Sequence, residues 1–167
     1  ATVIVNEMGA PLEFLELHQP RSYLSSSLAG GLGFGLGASI GAKLGAPHKN
    51  IILIVGDGSY MFGCPTATHH TAKMRGLPTT TIVMNNARWN AVHRSTLGMY
   101  PDGLAAKEEV MPLVSLGESP EYDQIMVACG GHGEKVTAPG DLPEALKRCL
   151  AANDKGQAAL INLVCGG

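Results

Sequence analysis

The hydrophobic pattern divides the chain into short strand-like segments separated by longer amphipathic stretches. Strand-like segments recur at 2–6, 51–55, 80–84, 134–137 and 158–165. In 51–55 all residues are apolar and most are β-branched, a composition typical of a strand buried on both faces. Strands that alternate with helices predict an α/β fold, with a doubly wound parallel sheet and helices on both faces.

Helices are predicted at 8–18, at 30–44, at 63–75, from Ser119 onward and from Asp141 onward. Ser119 precedes a proline, and Glu144 follows Asp141 in a capping-box-like spacing, so both positions resemble helix N-termini. Glycine costs about 1 kcal/mol per helical position relative to alanine. The glycines of 30–44 therefore predict close approach to other backbone or to a ligand. The aperiodic segment 98–117 is interpreted as a lid or a partner contact.

Two of the predicted strands end in polar residues that suit a metal ion. Gly56-Asp57-Gly58 follows the strand at 51–55, and Asn85-Asn86 follows the strand at 80–84. One crossover helix fits between them, so the two strand tips are expected to be neighbours. Ligands of open α/β sheets bind beyond the carboxyl ends of strands. A carboxylate and an amide oxygen there predict Mg²⁺ or Ca²⁺, and Mg²⁺ commonly binds together with substrate phosphates.

The spacing of Gly56-Asp57-Gly58 and Asn85-Asn86 resembles the thiamine diphosphate motif. The glycine-rich run 30–36 lies one helix upstream, where the same family has it. The chain is similar over most of its length to the pyrophosphate-binding domain of the acetolactate synthase, benzoylformate decarboxylase and benzaldehyde lyase group. The resemblance implies a domain that binds the diphosphate and Mg²⁺ of the cofactor.

The resemblance assigns roles to particular residues. It implies that Asp57 and Asn86 bind Mg²⁺ through side-chain oxygens and that Arg88 binds it through its backbone carbonyl. The carbonyl at Gly30 would accept a hydrogen bond from the cofactor's 4′-amino group, and Leu32 would wedge between the two cofactor rings. The implied cofactor-binding set is Gly30, Gly31, Leu32, Gly56, Asp57, Gly58, Ser59 and Asn86.

No catalytic residue is assigned within the chain itself. The family requires a glutamate that contacts the pyrimidine, and it lies in a separate pyrimidine-binding domain. Nothing in the chain resembles that domain, and Glu7 is expected on the wrong side of the cofactor. Because the chain also begins without Met, we expect a single domain that is part of a longer enzyme or one subunit of a split one. We expect it to be inactive alone and to complete its site at an interface with a pyrimidine domain, in a homodimer or homotetramer.

The resemblance implies decarboxylation of a small 2-oxo acid, followed by addition to a second carbonyl compound as in acetolactate synthase. A benzoylformate decarboxylase-like or benzaldehyde lyase-like reaction, with a 2-oxo acid or aldehyde substrate, is the alternative. A non-catalytic partner subunit is a further alternative, and the presence of both Asp57 and Asn86 argues against it.

A nicotinamide-binding Rossmann domain is the rival from another enzyme class. The run 33–38 fits GxGxxA, and Asp57 follows at a strand end, where a ribose-binding acid is expected. Against this interpretation, 23–28 is a poor buried strand to precede the glycines, and Asn85-Asn86 has no role in it.

Composition removes other classes of protein. A hydrophobic content of 45% with 16% charged residues excludes a disordered chain. The net charge of -2, with no Lys/Arg cluster, excludes a nucleic-acid-binding surface. Residues 22–42 carry no charge, but their glycines and serines argue against a membrane span. The four widely spaced cysteines indicate buried, reduced thiols and a cytoplasmic protein.

The remaining candidate residues have weaker patterns. His69 and His70 have no carboxylate at metal-ligand spacing, so packing or surface positions are expected for them. Trp89 follows the Asn-Asn pair and could pack under that loop or line a substrate pocket. His93 could face a substrate on the same grounds.

Overall fold

The computed structural model describes residues 1–25, 31–108 and 111–166. Within them, six strands form one parallel sheet in the order β2-β1-β3-β4-β6-β5. The strands are β1 (Thr2–Glu7), β2 (Tyr23–Ser25), β3 (Asn50–Gly56), β4 (Thr80–Asn85), β5 (His132–Val136) and β6 (Ala159–Val164). Because all strands run the same way, their carboxyl ends lie at one edge of the sheet, which we call the carboxyl edge.

Helices cover both faces of the sheet. They are α1 (Phe34–Gly45), α2 (Asp57–Phe62), α3 (Pro65–Arg75), α4 (Asn90–Met99), α5 (Leu104–Lys107), α6 (Tyr122–Ala128) and α7 (Leu142–Asp154). On one face Leu36 of α1, Tyr60 of α2 and Met126 of α6 belong to a single buried core. On the other face Ala145 and Cys149 of α7 pack in a second core. The predicted doubly wound α/β fold is confirmed.

The strand order places the switch point beside β1. β1 pairs with β2 on one side and with β3 on the other. The chain therefore runs from β1 outward to β2 and then crosses back to β3 on the opposite side of β1. Crevices at such switch points bind ligands in open α/β sheets. Glu7 ends β1 and Gly56 ends β3, so the residues after both lie at this crevice.

The amino-terminal region differs from the sequence-based expectation. The predicted helix at 8–18 is wrong, because only a short 3-10 turn at Leu12–Phe14 forms there. The Asn6 side-chain oxygen accepts hydrogen bonds from the backbone N–H groups of Gly9 and Ala10, which turns the chain after β1. Residues Tyr23–Ser25, which make a poor buried strand by composition, form β2 at the sheet edge. A half-exposed edge strand needs no continuous apolar run.

Helix boundaries also differ from their predicted positions. The helix expected at 63–75 is confirmed as α3, which begins two residues later at Pro65. The short helix α2 before it was not predicted, and Cys64, whose φ is 51°, interrupts the helical path between the two. The helix expected from Ser119 begins at Tyr122, because the Ser119 hydroxyl donates to the Asn85 side-chain oxygen at 2.8 Å instead of capping a helix. Asp141 does precede α7, but its side chain makes no capping hydrogen bond.

The prediction that the glycines of α1 approach other groups closely holds for part of the helix. A Cβ at Gly33 would lie 2.6 Å from the Cα of Gly63, and one at Gly35 would lie 2.6 Å from a Leu53 methyl carbon. A Cβ placed on Gly37 or Gly41 would have no described atom of another element within 4 Å, so close approach is confined to the first turn. That first turn lies at the carboxyl edge.

No helix in the described ranges is long and apolar enough to cross a membrane. The expectation of buried thiols holds for Cys149 alone. Cys64 is exposed, and Cys129 and Cys165 are partly buried. All four cysteines are free thiols.

Candidate cofactor and metal site

Asp57 lies where the tips of β3 and β4 meet and is almost completely buried. It is the first residue of α2 and is 2% exposed. One carboxylate oxygen accepts a hydrogen bond from the Gly58 backbone N–H at 2.8 Å, and the other accepts one from the Asn86 backbone N–H at 3.1 Å. The tips of β3 and β4 are therefore in direct contact, as their spacing predicts.

The electrostatics of Asp57 favour a bound cation. Burial raises the pKa of Asp57, and backbone N–H groups of Gly58 and residues 86–88 oppose that rise. Among the described residues Asp57 forms no ion pair. A buried carboxylate is costly unless it is neutralised or paired with a positive charge. Each carboxylate oxygen accepts one direct hydrogen bond, from Gly58 or from Asn86, and an ionised carboxylate oxygen has a second lone pair that a ligand can use.

The loop after β4 presents a second oxygen donor. The Asn86 side-chain oxygen accepts a hydrogen bond from the Arg88 backbone N–H at 3.2 Å, which bends the loop back on itself. Ala87 between them has a φ of 55°, in the left-handed region that costs a non-glycine residue about 1 kcal/mol or more. A carboxylate, an amide oxygen and a nearby backbone carbonyl are the hard donors that Mg²⁺ prefers. The residues present therefore fit this ion.

Trp89 lies against Gly58 at the start of α2. Its two roles suggested by the sequence, packing under the Asn85-Asn86 loop and lining a substrate pocket, stay predictions. A Cβ at Gly58 would lie 2.5 Å from an indole carbon of Trp89, so only glycine fits there. The Gly58 backbone N–H donates to the Asp57 carboxylate and is thus already engaged. Ser59 is buried beside it. The expected contact of Gly58 and Ser59 with a diphosphate stays a prediction.

Glu7 holds the start of α1 at the switch-point crevice beside β1. Its side chain is 1% exposed, and its two carboxylate oxygens accept hydrogen bonds from the Gly33 N–H at 2.7 Å and the Gly35 N–H at 2.6 Å. These amides belong to the first turn of α1, where a helix favours negative charge. Sequence reasoning missed this role. The signal available in the sequence was a single glutamate at the end of a buried strand, upstream of a helix whose N-terminus is rich in glycine.

The glycine run before α1 is only partly described. Gly30 lies outside the described residues, so its implied carbonyl contact has no structural description. Gly31 is exposed, and its carbonyl accepts a hydrogen bond from the Phe34 N–H at 3.3 Å. Leu32 is 39% exposed, so it is not the core leucine that a purely structural role predicts. Gly31 and Leu32 precede the turn that Glu7 fixes.

The end of the segment 98–117 contacts the loop after β4, residues 86–88, which we call the metal loop because it carries the candidate metal donors. The interpretation of 98–117 as a lid or a partner contact stays a prediction. The Trp89 N–H donates to the Val114 carbonyl at 2.9 Å, and the Leu116 N–H donates to the Ala87 carbonyl at 2.9 Å. Between these two bonds, Arg88 and Ser115 form an isolated antiparallel β-bridge. These contacts, which we call the clasp, fix the backbone on both sides of the loop.

A cavity of about 370 Å³ lies next to this clasp. Its lining is mainly apolar and includes Val92, Thr96, Leu104, Met111 and Val114. His93 lies on α4 but is not among the residues that line the cavity. Its suggested contact with substrate stays a prediction.

A second group of possible metal ligands is better explained as an ion-pair network. Donor atoms of His132, Glu134 and Cys149 lie within 4.8 Å of one another. However, the Arg148 Nε donates to Glu134 at 2.9 Å, and a ring nitrogen of His132 lies 2.7 Å from the same carboxylate. The Arg148 hydrogen bonds lower the pKa of Glu134, and burial raises the pKa of Cys149 to about 12. An engaged carboxylate and a protonated thiol make a poor metal centre.

A parallel, doubly wound sheet with a buried carboxylate and an amide side chain at its carboxyl edge defines an α/β cofactor-binding domain. Residues 8–163 match the family model described as "Thiamine pyrophosphate enzyme, C-terminal TPP binding domain". The chain belongs to this family, and the resemblance drawn from Gly56-Asp57-Gly58 and Asn85-Asn86 is confirmed.

Individual relatives agree with the family match. The chain is 29% identical over 150 residues to the acetolactate synthase large subunit of Mycobacterium tuberculosis, which covers 90% of this chain and 25% of that protein. It is 28% identical over 157 residues to a probable acetolactate synthase large subunit of Methanocaldococcus jannaschii, covering 92% of this chain and 25% of that protein. The chain thus spans about a quarter of the length of these relatives.

A solved structure has the same fold. The thiamine diphosphate-dependent 4-hydroxybenzoylformate decarboxylase of Rhodococcus jostii RHA1 superposes with a TM-score of 0.83 at 25% sequence identity. The match covers 99% of this chain and 29% of that chain. The relatives therefore include both acetolactate synthases and a benzoylformate decarboxylase-type enzyme.

Proposed function

We propose that this chain forms the diphosphate- and Mg²⁺-binding half of the active site in a thiamine diphosphate-dependent enzyme that decarboxylates 2-oxo acids. The proposed reaction joins the product to a second carbonyl compound, as the acetolactate synthase relatives suggest. When bound, thiamine diphosphate would supply a carbanion that adds to carbonyl groups and a thiazolium ring that accepts the electron pair left by departing CO₂.

The observation that carries the proposal is the buried Asp57 carboxylate, which contacts the Asn86 loop and has no ion-pair partner in the described part of the chain. In the proposed site, Asp57 and Asn86 hold Mg²⁺ through side-chain oxygens, and Arg88 holds it through its carbonyl. The ion neutralises Asp57 and anchors the two phosphates of the cofactor. Gly56, Gly58 and Ser59 border the ion at the β3 tip.

The other end of the proposed site lies at the start of α1. Glu7 fixes the turn that directly follows Gly31 and Leu32. An exposed leucine at this position offers an apolar surface against which the cofactor rings can bend. Gly30 is proposed as a contact on the family resemblance alone.

We also propose that a pyrimidine-binding domain, from the same or another chain, completes the site in a homodimer or homotetramer. Large apolar side chains are exposed around the carboxyl edge and suit such a partner. They include Leu32 (39% exposed), Phe34 (40%), Phe62 (64%) and Leu113 (94%). On this proposal the isolated chain has no turnover, because the partner supplies the glutamate that contacts the pyrimidine.

Lyase chemistry is the second candidate, and the Rhodococcus decarboxylase is the observation that favours it. Products separate the two candidates when the full-length protein that contains this chain is supplied with a 2-oxo acid, thiamine diphosphate and Mg²⁺. Release of CO₂ with a ligated hydroxy-ketone supports the first candidate. Release of CO₂ with free aldehyde alone supports the second.

Calorimetry tests the site itself. The full-length protein is expected to bind thiamine diphosphate with Mg²⁺ and to lose that binding when the metal is chelated. Asp57→Asn keeps the side-chain shape but removes the charge, and it is expected to weaken Mg²⁺ binding by about tenfold or more. Asp154→Asn, at an exposed aspartate ending α7, is the matched control and should leave binding unchanged.

Binding of NADH without binding of thiamine diphosphate would reject the proposal in favour of a nicotinamide-binding domain. Equal Mg²⁺ affinity in the wild type and in Asp57→Asn would reject the metal site. A full-length protein that binds neither cofactor would support a non-catalytic partner subunit instead.

A further inference from the structure

Three buried polar side chains connect the metal loop to β6 and α6. Asn85 ends β4, Asn162 lies in the middle of β6, and Asp123 lies in α6. They are 7%, 1% and 5% exposed. A polar side chain at the centre of an apolar strand such as β6 lowers stability unless its hydrogen bonds are made, so Asn162 calls for an explanation.

The three side chains form a continuous hydrogen-bonded chain. The Asn85 side-chain nitrogen donates to the Asn162 oxygen at 3.0 Å, and the Asn162 nitrogen donates to an Asp123 carboxylate oxygen at 3.3 Å. At the other end, the Asn85 oxygen accepts from the Ala87 backbone N–H at 3.3 Å and from the Ser119 hydroxyl at 2.8 Å. We call this chain of Asp123, Asn162 and Asn85 the polar relay.

The direction of donation along the polar relay is fixed at both of its ends. An ionised carboxylate only accepts hydrogen bonds, so Asn162 must turn its nitrogen toward Asp123. A backbone N–H only donates, so Asn85 must turn its oxygen toward Ala87. The two requirements agree, because they leave the Asn85 nitrogen facing the Asn162 oxygen. Each amide thus has one orientation that satisfies every partner.

The polar relay ends on the strained residue of the metal loop. Ala87 has a φ of 55° and lies between Asn86 and Arg88, the two loop residues assigned to the ion. A left-handed non-glycine residue persists only where its surroundings hold it. The Asn85 oxygen bound to the Ala87 N–H supplies one such restraint from inside the protein.

We propose that Asp123 and Asn162 are positioning residues for the metal loop. They act through Asn85, whose fixed orientation holds Ala87 in the left-handed conformation and so sets the Asn86 side chain and the Arg88 carbonyl for Mg²⁺. This inference rests on the proposed function, because it concerns the same metal site. It assigns a role to side chains in α6 and β6 that do not themselves reach the ion.

Replacing one donor of the polar relay with an acceptor tests the proposal. Asn162→Asp places a second carboxylate against Asp123 where an N–H now donates, so two acceptors face each other. In the full-length protein with saturating thiamine diphosphate, this variant is expected to weaken Mg²⁺ binding by about tenfold. Turnover should recover when Mg²⁺ is raised to saturation, because the relay sets affinity and not the chemical step.

A compensating pair of substitutions keeps the test valid if Asn162→Asp folds poorly. Asp123→Asn combined with Asn162→Asp restores a donor opposite an acceptor, with the carboxylate moved to position 162. The double variant is expected to regain a Mg²⁺ affinity within about threefold of the wild type.

Asn153 provides a matched control at the opposite edge of the sheet. It is 8% exposed, and it accepts from the Thr80 hydroxyl at 2.7 Å and donates to the Gln157 carbonyl at 2.9 Å. Asn153→Asp makes the same chemical change in an equally buried amide. Asn153→Asp should lower the melting temperature but leave Mg²⁺ affinity unchanged. If the polar relay served stability alone, Asn162→Asp would give this same result.

The outcomes separate this inference from the proposed function. If the wild type binds no Mg²⁺ with thiamine diphosphate, the proposed function itself fails. If the wild type binds the ion and Asn162→Asp binds it equally well, the positioning role is wrong and the metal site stands. If the double variant binds Mg²⁺ as weakly as Asn162→Asp does, the direction of the hydrogen bonds does not affect Mg²⁺ affinity, and the proposed positioning role is wrong.

Discussion

His69 is held uncharged inside the protein. It is 4% exposed, and the Tyr60 hydroxyl lies 2.8 Å from its Nε2. Burial lowers the pKa of His69 from 6.5 to about 4, and it raises the pKa of Tyr60. The phenol therefore stays protonated and donates, which leaves the Nε2 of a neutral imidazole as acceptor. His69 thus serves packing, as the absence of ligand-spaced carboxylates in the sequence predicts.

The lowered pKa of His69 predicts acid-sensitive stability. Between pH 6.5 and pH 4 the unfolded chain binds a proton that the folded chain excludes, so stability is full above this window and falls through it. The full loss below the window is about 3 kcal/mol. His69→Gln is expected to flatten the change in the free energy of unfolding across this range, measured by denaturant titration.

His70 is the control for this prediction, because it is the exposed neighbour on the same helix. His70→Gln should keep the wild-type pH dependence. If His69→Gln and His70→Gln follow the same pH curve, another group governs the acid sensitivity.

At the scale of elements, the first turn of α1 is anchored by a side chain from β1. Glu7 accepts hydrogen bonds from two backbone N–H groups at the start of α1. The N–H groups at a helix N-terminus have no hydrogen-bond partner within the helix. The N-cap residue Gly33 has no side chain to accept them. The glutamate therefore replaces a capping residue from a distant part of the chain and joins α1 to the sheet at the crevice.

Removing the Glu7 charge is expected to weaken this junction. In Glu7→Gln one amide still meets an oxygen, but the other meets the new side-chain NH₂ group. The free energy of unfolding should fall by about 2 kcal/mol, because a buried donor is left unsatisfied. Thermal unfolding of the protein provides the measurement.

Glu13→Gln makes the same change at an exposed position and should alter stability by no more than about 0.5 kcal/mol. Similar losses in the two variants would show that the contacts of Glu7 with α1 contribute nothing specific.

At the scale of the whole molecule, the carboxyl edge carries an exposed apolar side chain in an unusual conformation. Leu113 is 94% exposed and has a φ of 63°, and it adjoins Val114, which clasps the metal loop. Leu44, which is 70% exposed, lies near the end of α1 that points away from the carboxyl edge. The two leucines present similar side chains in different parts of the surface.

If a partner covers the carboxyl edge, charge at Leu113 should disrupt assembly. Leu113→Lys is expected to raise the dissociation constant of the oligomer by about tenfold or more, because burying a leucine contributes about 1.5–3 kcal/mol. Sedimentation velocity at several protein concentrations measures this constant. Leu44→Lys should leave it unchanged, and the reverse ranking of the two variants would place the interface elsewhere.

Much of the fold followed from local sequence patterns. Buried parallel strands are apolar runs whatever they pack against, so five of the strands were predicted from the sequence with small shifts at their ends. The helices α1, α3 and α7 were predicted in the same way. Among the elements that were not predicted, β2 depends on pairing at a sheet edge, and the turn after β1 depends on the Asn6 side chain. Neither leaves a periodic signal.

The sequence by itself determined that Asp57 and Asn86 meet, because parallel strands joined by one crossover bring their carboxyl ends to the same edge. Only the tertiary structure decided what supports them. Glu7 with α1, Trp89 over Gly58, and Asn162 beneath the metal loop join residues that lie far apart in the chain. Such contacts depend on how the elements pack in three dimensions, and no local pattern of residues encodes that packing.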